Sequence, residues 1–280
     1  MSFKSYIKKN KLFVDIYENC MALVYYIKAC KNATRSKRRL TDYDRKEIQK
    51  YKNIHKGKRC FIVGTGPSQN VKDLNLLKDE ITIAVNNAYK SYDSTEWRAD
   101  YYVVMDDNAE KLLDNLFMEG SEYKGVFIHN GLQYKGKHCI KMADDAAHTL
   151  LLRTFWHRWF PRIFPIMRFS DDLSKVIYTG KTVVLACIQI AAYMGFDEIY
   201  LSGIDCDYHG MLHSSIMGGN EEEKKRERLL KSGELMMEQF EALSEILPEY
   251  GIKVYNATRG GRLEVFPRVD LDLLFKEKAK

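Results

Sequence analysis

Cys60-Phe61-Ile62-Val63-Gly64-Thr65-Gly66-Pro67-Ser68 is the stretch whose residue types point most directly to chemistry. An apolar run feeds a turn with two glycines one residue apart, closed by Pro-Ser. Gly64 and Gly66 let the backbone turn sharply and approach a ligand, and Pro67 suits the first turn of a helix. Free N–H groups at such a helix start favour an anion. The segment therefore reads as a phosphate- or nucleotide-binding turn in which Gly64, Thr65, Gly66, Pro67 and Ser68 meet the ligand. The dinucleotide fingerprint would add a third glycine and, about 20 positions on, an acidic residue for the ribose. Asn70 stands near the place of that glycine, and the next apolar run, Ile81 to Val85, ends in Asn86-Asn87. Two amides read a ribose or a base edge without reproducing the NAD pattern, so a different nucleotide is expected.

Further chemistry-bearing residues follow other apolar runs. Asp106-Asp107-Asn108 comes after Tyr101 to Met105, and Ser202-Gly203-Ile204-Asp205-Cys206-Asp207-Tyr208-His209-Gly210-Met211-Leu212-His213 after Glu198 to Leu201. His213 belongs to the one residue class whose ordinary pKa lies near neutrality, which suits a general base; the competing reading is an exposed loop histidine. Asp205, Asp207, His209 and His213 have metal-ligand side chains, but nothing places them on one helical face, and no metal site is assigned. Asp106-Asp107 is either an acidic pair for a metal-nucleotide or the cap of the helix that follows. Thr179-Gly180-Lys181-Thr182 has the tail of a phosphate-binding loop, yet the first glycine of that motif would fall at Lys175, which excludes it. Arg153 to Phe164 mixes Trp156 and Trp159 with three arginines, as either an acceptor or head-group groove or a partly buried helical excursion.

These segments need elements to hold them. Strands are expected at 59–64, 81–86, 101–105, 125–129, 198–202 and 252–255, and helices at 68–78, 109–118, 181–194 and 221–247. Alternation of this kind predicts an α/β, Rossmann-like fold, a mostly parallel sheet with helices on both faces, whose ligands gather at the carboxyl ends of the strands. The chain's 280 residues, 45% of them apolar, suffice for one such core with an appendage. The expected division is a basic amphipathic helical extension at 1–55 and a catalytic domain at 56–280. Residues 1–39 carry ten Lys and Arg against Asp15 and Glu18, a net +8 within a total of +6, so the remainder is −2. A basic helix of mixed apolar character fits an anionic membrane surface through residues 1–40, or simple packing on the domain. The acidic body argues against nucleic acid. Cysteines at 20, 30, 60, 139, 187 and 206 show no paired spacing and fit reduced thiols. The N-terminal apolar stretch, broken by Asp15, Glu18 and Asn19, is a poor membrane span, and neither is a signal peptide evident. The expected location is cytoplasmic, peripheral on the inner face of the membrane.

Phe61 to Ser68, taken with Ala191-Ala192-Tyr193-Met194-Gly195-Phe196-Asp197-Glu198-Ile199-Tyr200-Leu201-Ser202-Gly203-Ile204-Asp205, resembles the bacterial family-42 sialyltransferases and the wider superfamily they share with 6-hydroxymethylpterin diphosphokinases and capsule-locus proteins. The likeness covers residues 57–275. It implies a CMP-sugar donor, with no separate cofactor, and a glycan or lipid-linked glycan acceptor. Thr65 and Gly66 would meet the donor's phosphate and ribose, Asn86 with Asn87 the nucleotide, and the Thr179-Gly180 turn the cytidine. His213 matches the family's general base. On residue chemistry alone Asp207 is the next candidate for that role, Lys181 and Tyr208 suit the departing phosphate, and Asp205 completes the donor site. The chain departs from the pattern in having one nearby tyrosine, Tyr208, shifted by a position, and a shortened segment before the histidine. The expectation is an inverting, metal-independent glycosyltransferase of sialyltransferase type for cell-surface glycan assembly, with self-association left open. The alternatives are an ATP- and Mg-dependent pyrophosphoryl transfer of the pterin diphosphokinase type, using Asp106 and Asp107, and a non-catalytic nucleotide-binding capsule-assembly subunit.

Overall fold

The computed structural model describes residues 11–106, 109–118, 122–132, 134–145, 159, 165–207, 214–217 and 223–276. Seven strands form one sheet: β1 Arg59–Val63, β2 Thr82–Val85, β3 Tyr101–Val104, β4 Gly125–His129, β5 Ile140–Met142, β8 Glu198–Ser202 and β9 Lys253–Asn256. Their order is β5-β4-β3-β2-β1-β8-β9, and every neighbouring pair is parallel. Two short strands, β6 Asp144–Asp145 and β7 Ile177–Tyr178, form a separate parallel pair. The fold is α/β with a Rossmann-like sheet and helices around it.

Burial on both faces explains why the strands are apolar runs without polar alternation. Cys60, Ile62, Ile83 and Val103 enter one core with helix α5 (Val183–Tyr193), while Phe61, Val63, Ala84 and Tyr102 enter a second with α3 (Val71–Leu76) and α4 (Glu110–Met118). The period of two thus appears as a choice between cores. Helix α5 is apolar around its circumference, starts at the Thr182 N-cap, and crosses β1, β2 and β3 before the chain enters β8. Helix α6 (Glu223–Ile246) adds Phe240 and Leu243 to the first core, and α7 (Leu271–Lys276) adds Leu271 to the second.

All six expected strands are present. The expected helix at 68–78 is shorter: α3 begins at Val71, capped by the Asn70 side chain accepting from the Asp73 N–H, so Pro67 and Ser68 belong to the turn and not to the helix. The strands β5, β6 and β7 and helix α2 (Asp42–Gln49) are additional.

Helix α1 (Lys11–Arg39) spans 29 residues, and its last turns are fixed to the body. Ala33, Ser36 and Leu40 are buried, and the Ser36 hydroxyl donates to Asn130 at 2.6 Å while accepting from the Asp144 N–H at 3.2 Å. Both partners stand beyond the carboxyl ends of β4 and β5. Lys37 pairs with Asp145 at 3.6 Å, and Arg45 of α2 donates to the Ser174 carbonyl. Part of the basic run 35–39 is therefore engaged within the protein. Among the described residues no helix is long and apolar enough to cross a membrane.

Candidate functional site

The sheet order reverses at β1. Successive strands β2 to β5 stack away from it on one side, and the chain returns through α5 to place β8 on the other. In parallel sheets the crevice at such a reversal, outside the carboxyl ends of the strands, is the ligand site. Here it is flanked by the 64–68 turn after β1, the 203–207 segment after β8, and Asn86 after β2.

The 64–68 turn is tied to the β8 segment bond by bond. The Gly64 N–H donates to Ser202 O at 2.8 Å and the Gly66 N–H to Gly203 O at 2.9 Å, while the Gln69 N–H folds back on Gly66 O at 3.0 Å. The Ser68 hydroxyl donates to Asp205 Oδ2 at 2.9 Å, and the Ser68 N–H to Oδ1 at 3.3 Å. The carboxylate of Asp205 thus takes the place an anionic ligand was expected to take. The glycines are required by this approach: a Cβ on Gly66 would stand 2.6 Å from Gly203 O and overlap Asp205 Oδ2, and one on Gly64 would overlap the Ile204 side chain. The N–H groups of Gly64, Gly66 and Ser68, expected to be free, are already bonded.

The C-terminal loop supports the acidic segment from the other side. Thr258 Oγ1 accepts from the Ile204 N–H at 3.0 Å, and the Arg262 N–H donates to Asp205 O at 2.7 Å. Asp205 is held by Ser68 at its carboxylate and by Arg262 at its carbonyl, and is 8% exposed. Burial raises its carboxyl above the usual aspartate range, against the Ser68 hydrogen bonds that hold it down, and the neighbouring Asp207 raises it further. A raised folded pKa means that ionising Asp205 costs native stability as pH rises through that value, and that the cost is absent in acid. Asp205→Asn is therefore expected to melt a few degrees higher than the native chain at neutral pH, with the gap closing toward about pH 4, near the unperturbed aspartate value. Thermal melts across a pH series check this; a melting temperature lowered at every pH would show that the carboxylate itself holds the turn.

Ser214 closes the third wall. Its N–H donates to Thr65 O at 2.9 Å and its hydroxyl to Gln69 O at 2.6 Å, and it is 2% exposed. His213, Tyr208 and His209 lie outside the described residues, as do Asp107, Asn108 and, apart from Trp159, the segment 153–164. Asn86 is exposed at the end of β2 with a left-handed backbone, φ 50°, and its carbonyl accepts from the Tyr102 hydroxyl at 2.7 Å. Cys206, after Asp205, is also left-handed at φ 51°. Backbone of this kind in a residue other than glycine is costly, and its occurrence after both strands that flank β1 marks the crevice. Asn87 continues into a 3₁₀ helix, Asn86–Ser94.

Thr179, Gly180 and Lys181 follow β7 and lead into α5, whose start faces the carboxyl edge because the helix descends antiparallel to the strands it connects. Buried Gln239 on α6 fixes this turn by accepting from the Lys181 N–H at 2.8 Å, and a Cβ on Gly180 would lie 2.7 Å from the same oxygen. Asp106 is exposed after β3. Arg259, after the end of β9, is committed to Asp73 at 2.6 Å and Asp272 at 2.9 Å. Gln69, Gln239 and Ser214 shape the site although nothing in the sequence marks them out. Only Asn70, through the spacing Asn70-x-x-Asp73, carried a legible signal of its role as a cap.

The profile of a family described as 6-hydroxymethylpterin diphosphokinase MptE-like matches residues 35–210, more than half of the chain and all of the sheet from β1 to β8. Among curated proteins nothing matches. Among solved structures the chain is similar to the MAf glycosyltransferase from Magnetospirillum magneticum AMB-1, at 16% identity and a TM-score of 0.45 over 85% of this chain. It spans 40% of that protein's length. It is also similar to the sialyltransferase CstII from Campylobacter jejuni in complex with a substrate analogue, CMP-3FNeuAc, at 20% identity and a TM-score of 0.41, covering 76% of this chain and 86% of that one. The apo α-2,3-sialyltransferase from Campylobacter jejuni gives 15% identity and a TM-score of 0.39, over 76% of this chain and 80% of that one.

Proposed function

We propose that this chain, which belongs to the 6-hydroxymethylpterin diphosphokinase MptE-like family, is a glycosyltransferase that moves an acidic sugar from a CMP-sugar donor to a hydroxyl of a cell-surface glycan or lipid-linked glycan. The observation that carries the reading is the occupation of the glycine turn by Asp205. A polyphosphate cradle needs several backbone N–H groups aimed outward, and here those of Gly64, Gly66 and Ser68 are bonded within the protein. The side chains that surround the crevice are amides, hydroxyls and carboxylates, those of Thr65, Ser68, Asn86, Asn87, Asp205 and Asp207. Such groups suit a ligand rich in hydroxyls, with a single phosphate, better than the triphosphate of ATP.

The reaction is one displacement. The acceptor oxygen forms a bond to the anomeric carbon from the face opposite the nucleotide, the bond from that carbon to the phosphate oxygen breaks, and CMP departs with the electron pair. His213 takes the acceptor's proton, and Lys181 and Tyr208 stabilise the departing phosphate. The anchoring of Ser214 on Thr65 and Gln69, one peptide link from His213, supports this assignment.

A second reading, pyrophosphoryl transfer from ATP, is favoured by the family's description and by Asp106 at the end of β3. Among the described residues no three His, Cys, Asp or Glu side chains converge to hold a metal ion. Thermal shift separates the two readings. Ligand at a hundredfold excess over its dissociation constant stabilises the native state by about 2.7 kcal/mol, so CMP is expected to raise the melting temperature more than ADP, GDP or UDP does. An equal or larger rise with ATP and Mg²⁺ transfers the assignment to the diphosphokinase. Binding of CMP without turnover of any CMP-sugar would leave a nucleotide-binding subunit.

A further inference from the structure

Helix α1 has two faces with different fates. Along one, Tyr26, Ala29, Ala33, Ser36 and Leu40 recur at intervals of three and four, and the last three are buried against the body. Along the opposite one, Tyr17, Cys20, Val24, Ile27, Lys31, Arg35 and Arg38 recur at the same intervals, and all seven are exposed. Tyr17 is 59% exposed, Val24 56% and Ile27 48%, values that a helix packed into a core would not leave on apolar side chains. Lys28 adjoins the stripe and is exposed as well. None of Lys28, Lys31, Arg35 and Arg38 forms an ion pair with a described residue, whereas Lys37, on the inner side, pairs with Asp145. The outer stripe is therefore apolar over its first turns and cationic over its last, and no acidic position interrupts it.

We propose that this outward face of α1 binds an anionic lipid surface. Charge complementarity selects the occupant. An amphipathic helix lies in the interface when it offers apolar side chains to the acyl boundary and Lys or Arg to acidic head groups. A second copy of the chain is a poorer fit. The apolar part of the stripe, residues 17–27, is shorter than the three or four heptads a stable coiled coil requires, and parallel pairing would set Lys31, Arg35 and Arg38 against the same cations of the partner. The end of α1 is fixed at Asn130 and Asp144, beyond the carboxyl ends of β4 and β5. The helix thus leaves the body from the edge of the sheet that carries the crevice. The inference is independent of which nucleotide that crevice takes.

The test is sedimentation of the full chain with vesicles of phosphatidylcholine alone and of phosphatidylcholine with phosphatidylglycerol. Binding is expected only to the second and is expected to weaken as salt is raised. Each basic group near an acidic surface is worth roughly fivefold in affinity, so the triple variant Lys31→Glu, Arg35→Glu, Arg38→Glu should bind at least a hundredfold more weakly. Val24→Asp with Ile27→Asp should also release the protein while leaving thermal stability and CMP affinity unchanged, since both side chains point away from the body. Equal binding to neutral vesicles, or to neither, overturns the proposal. So does a change of oligomeric mass in the Val24/Ile27 variant with no loss from vesicles, which would assign the face to a second copy.

Discussion

Replacing His213 by alanine is expected to lower turnover by roughly 10²- to 10⁴-fold, the usual share of general-base catalysis, while CMP affinity stays close to its native value. A base that takes the acceptor's proton makes no demand on the nucleotide, so under the proposed mechanism only the chemical step should suffer. The pH profile of the native enzyme should lose activity on the acid side as His213 protonates, and the variant should not show that limb. His209→Ala is the internal control and is expected to be mild. Equal damage from both substitutions, reversed by a divalent ion, would identify a metal site and remove the mechanism. If neither matters, Asp207 becomes the base, since a carboxylate after the same strand can reach the same hydroxyl.

Gly66→Ala is the second large effect. The new methyl would meet Asp205 Oδ2 and stand 2.6 Å from Gly203 O, a backbone atom fixed by its own bond from Gly66. Neither can yield cheaply, because Asp205 is braced by the Arg262 N–H and Gly203 has a left-handed backbone with φ 69°. Overpacking of this kind costs about 1–3 kcal/mol. The loss of nucleotide response should exceed what that destabilisation explains, because the displaced groups, Ser68 and Asp205, line the proposed donor site. Denaturant unfolding gives the first quantity and thermal shift with CMP the second. A variant with native stability and native CMP response would show that the two loops are not locked together.

The sheet was legible in the sequence because strands buried on both faces must be apolar throughout, and runs such as Phe61 to Val63 or Ile199 to Leu201 have few other uses. β6 and β7 were not, since a strand of two residues reading Asp144-Asp145 has no hydrophobic pattern to detect. The glycine turn was located correctly, but its inner workings were not. Gly64 and Gly66 look like ligand-binding glycines, and only the pairing of β1 with β8 shows them making room for Gly203, Ile204 and Asp205. Arg259 gave the same difficulty. Exposed cations near a strand end suggest an anionic ligand, whereas the bond to Asp73, 186 positions away, is a product of the fold. Buried amides such as Gln189 and Gln239 sit in helical sequence like any surface glutamine, and their tasks, holding the turns at Tyr178 and Lys181, exist only in three dimensions.

The bond between Ser68 and Asp205 joins residues 137 positions apart and so orders events during synthesis. β1 can pair with β2 soon after both emerge, yet its other edge has no partner until β8 is made. At the pace of translation that interval is on the order of ten seconds. For that time β1, interior in the finished sheet, carries an open edge, the condition under which nascent chains pair wrongly. No partial chain that stops short of β8 contains the crevice, so substrate cannot steady it. Ligand can only act on completed molecules, as a late selection for chains in which the two loops have met.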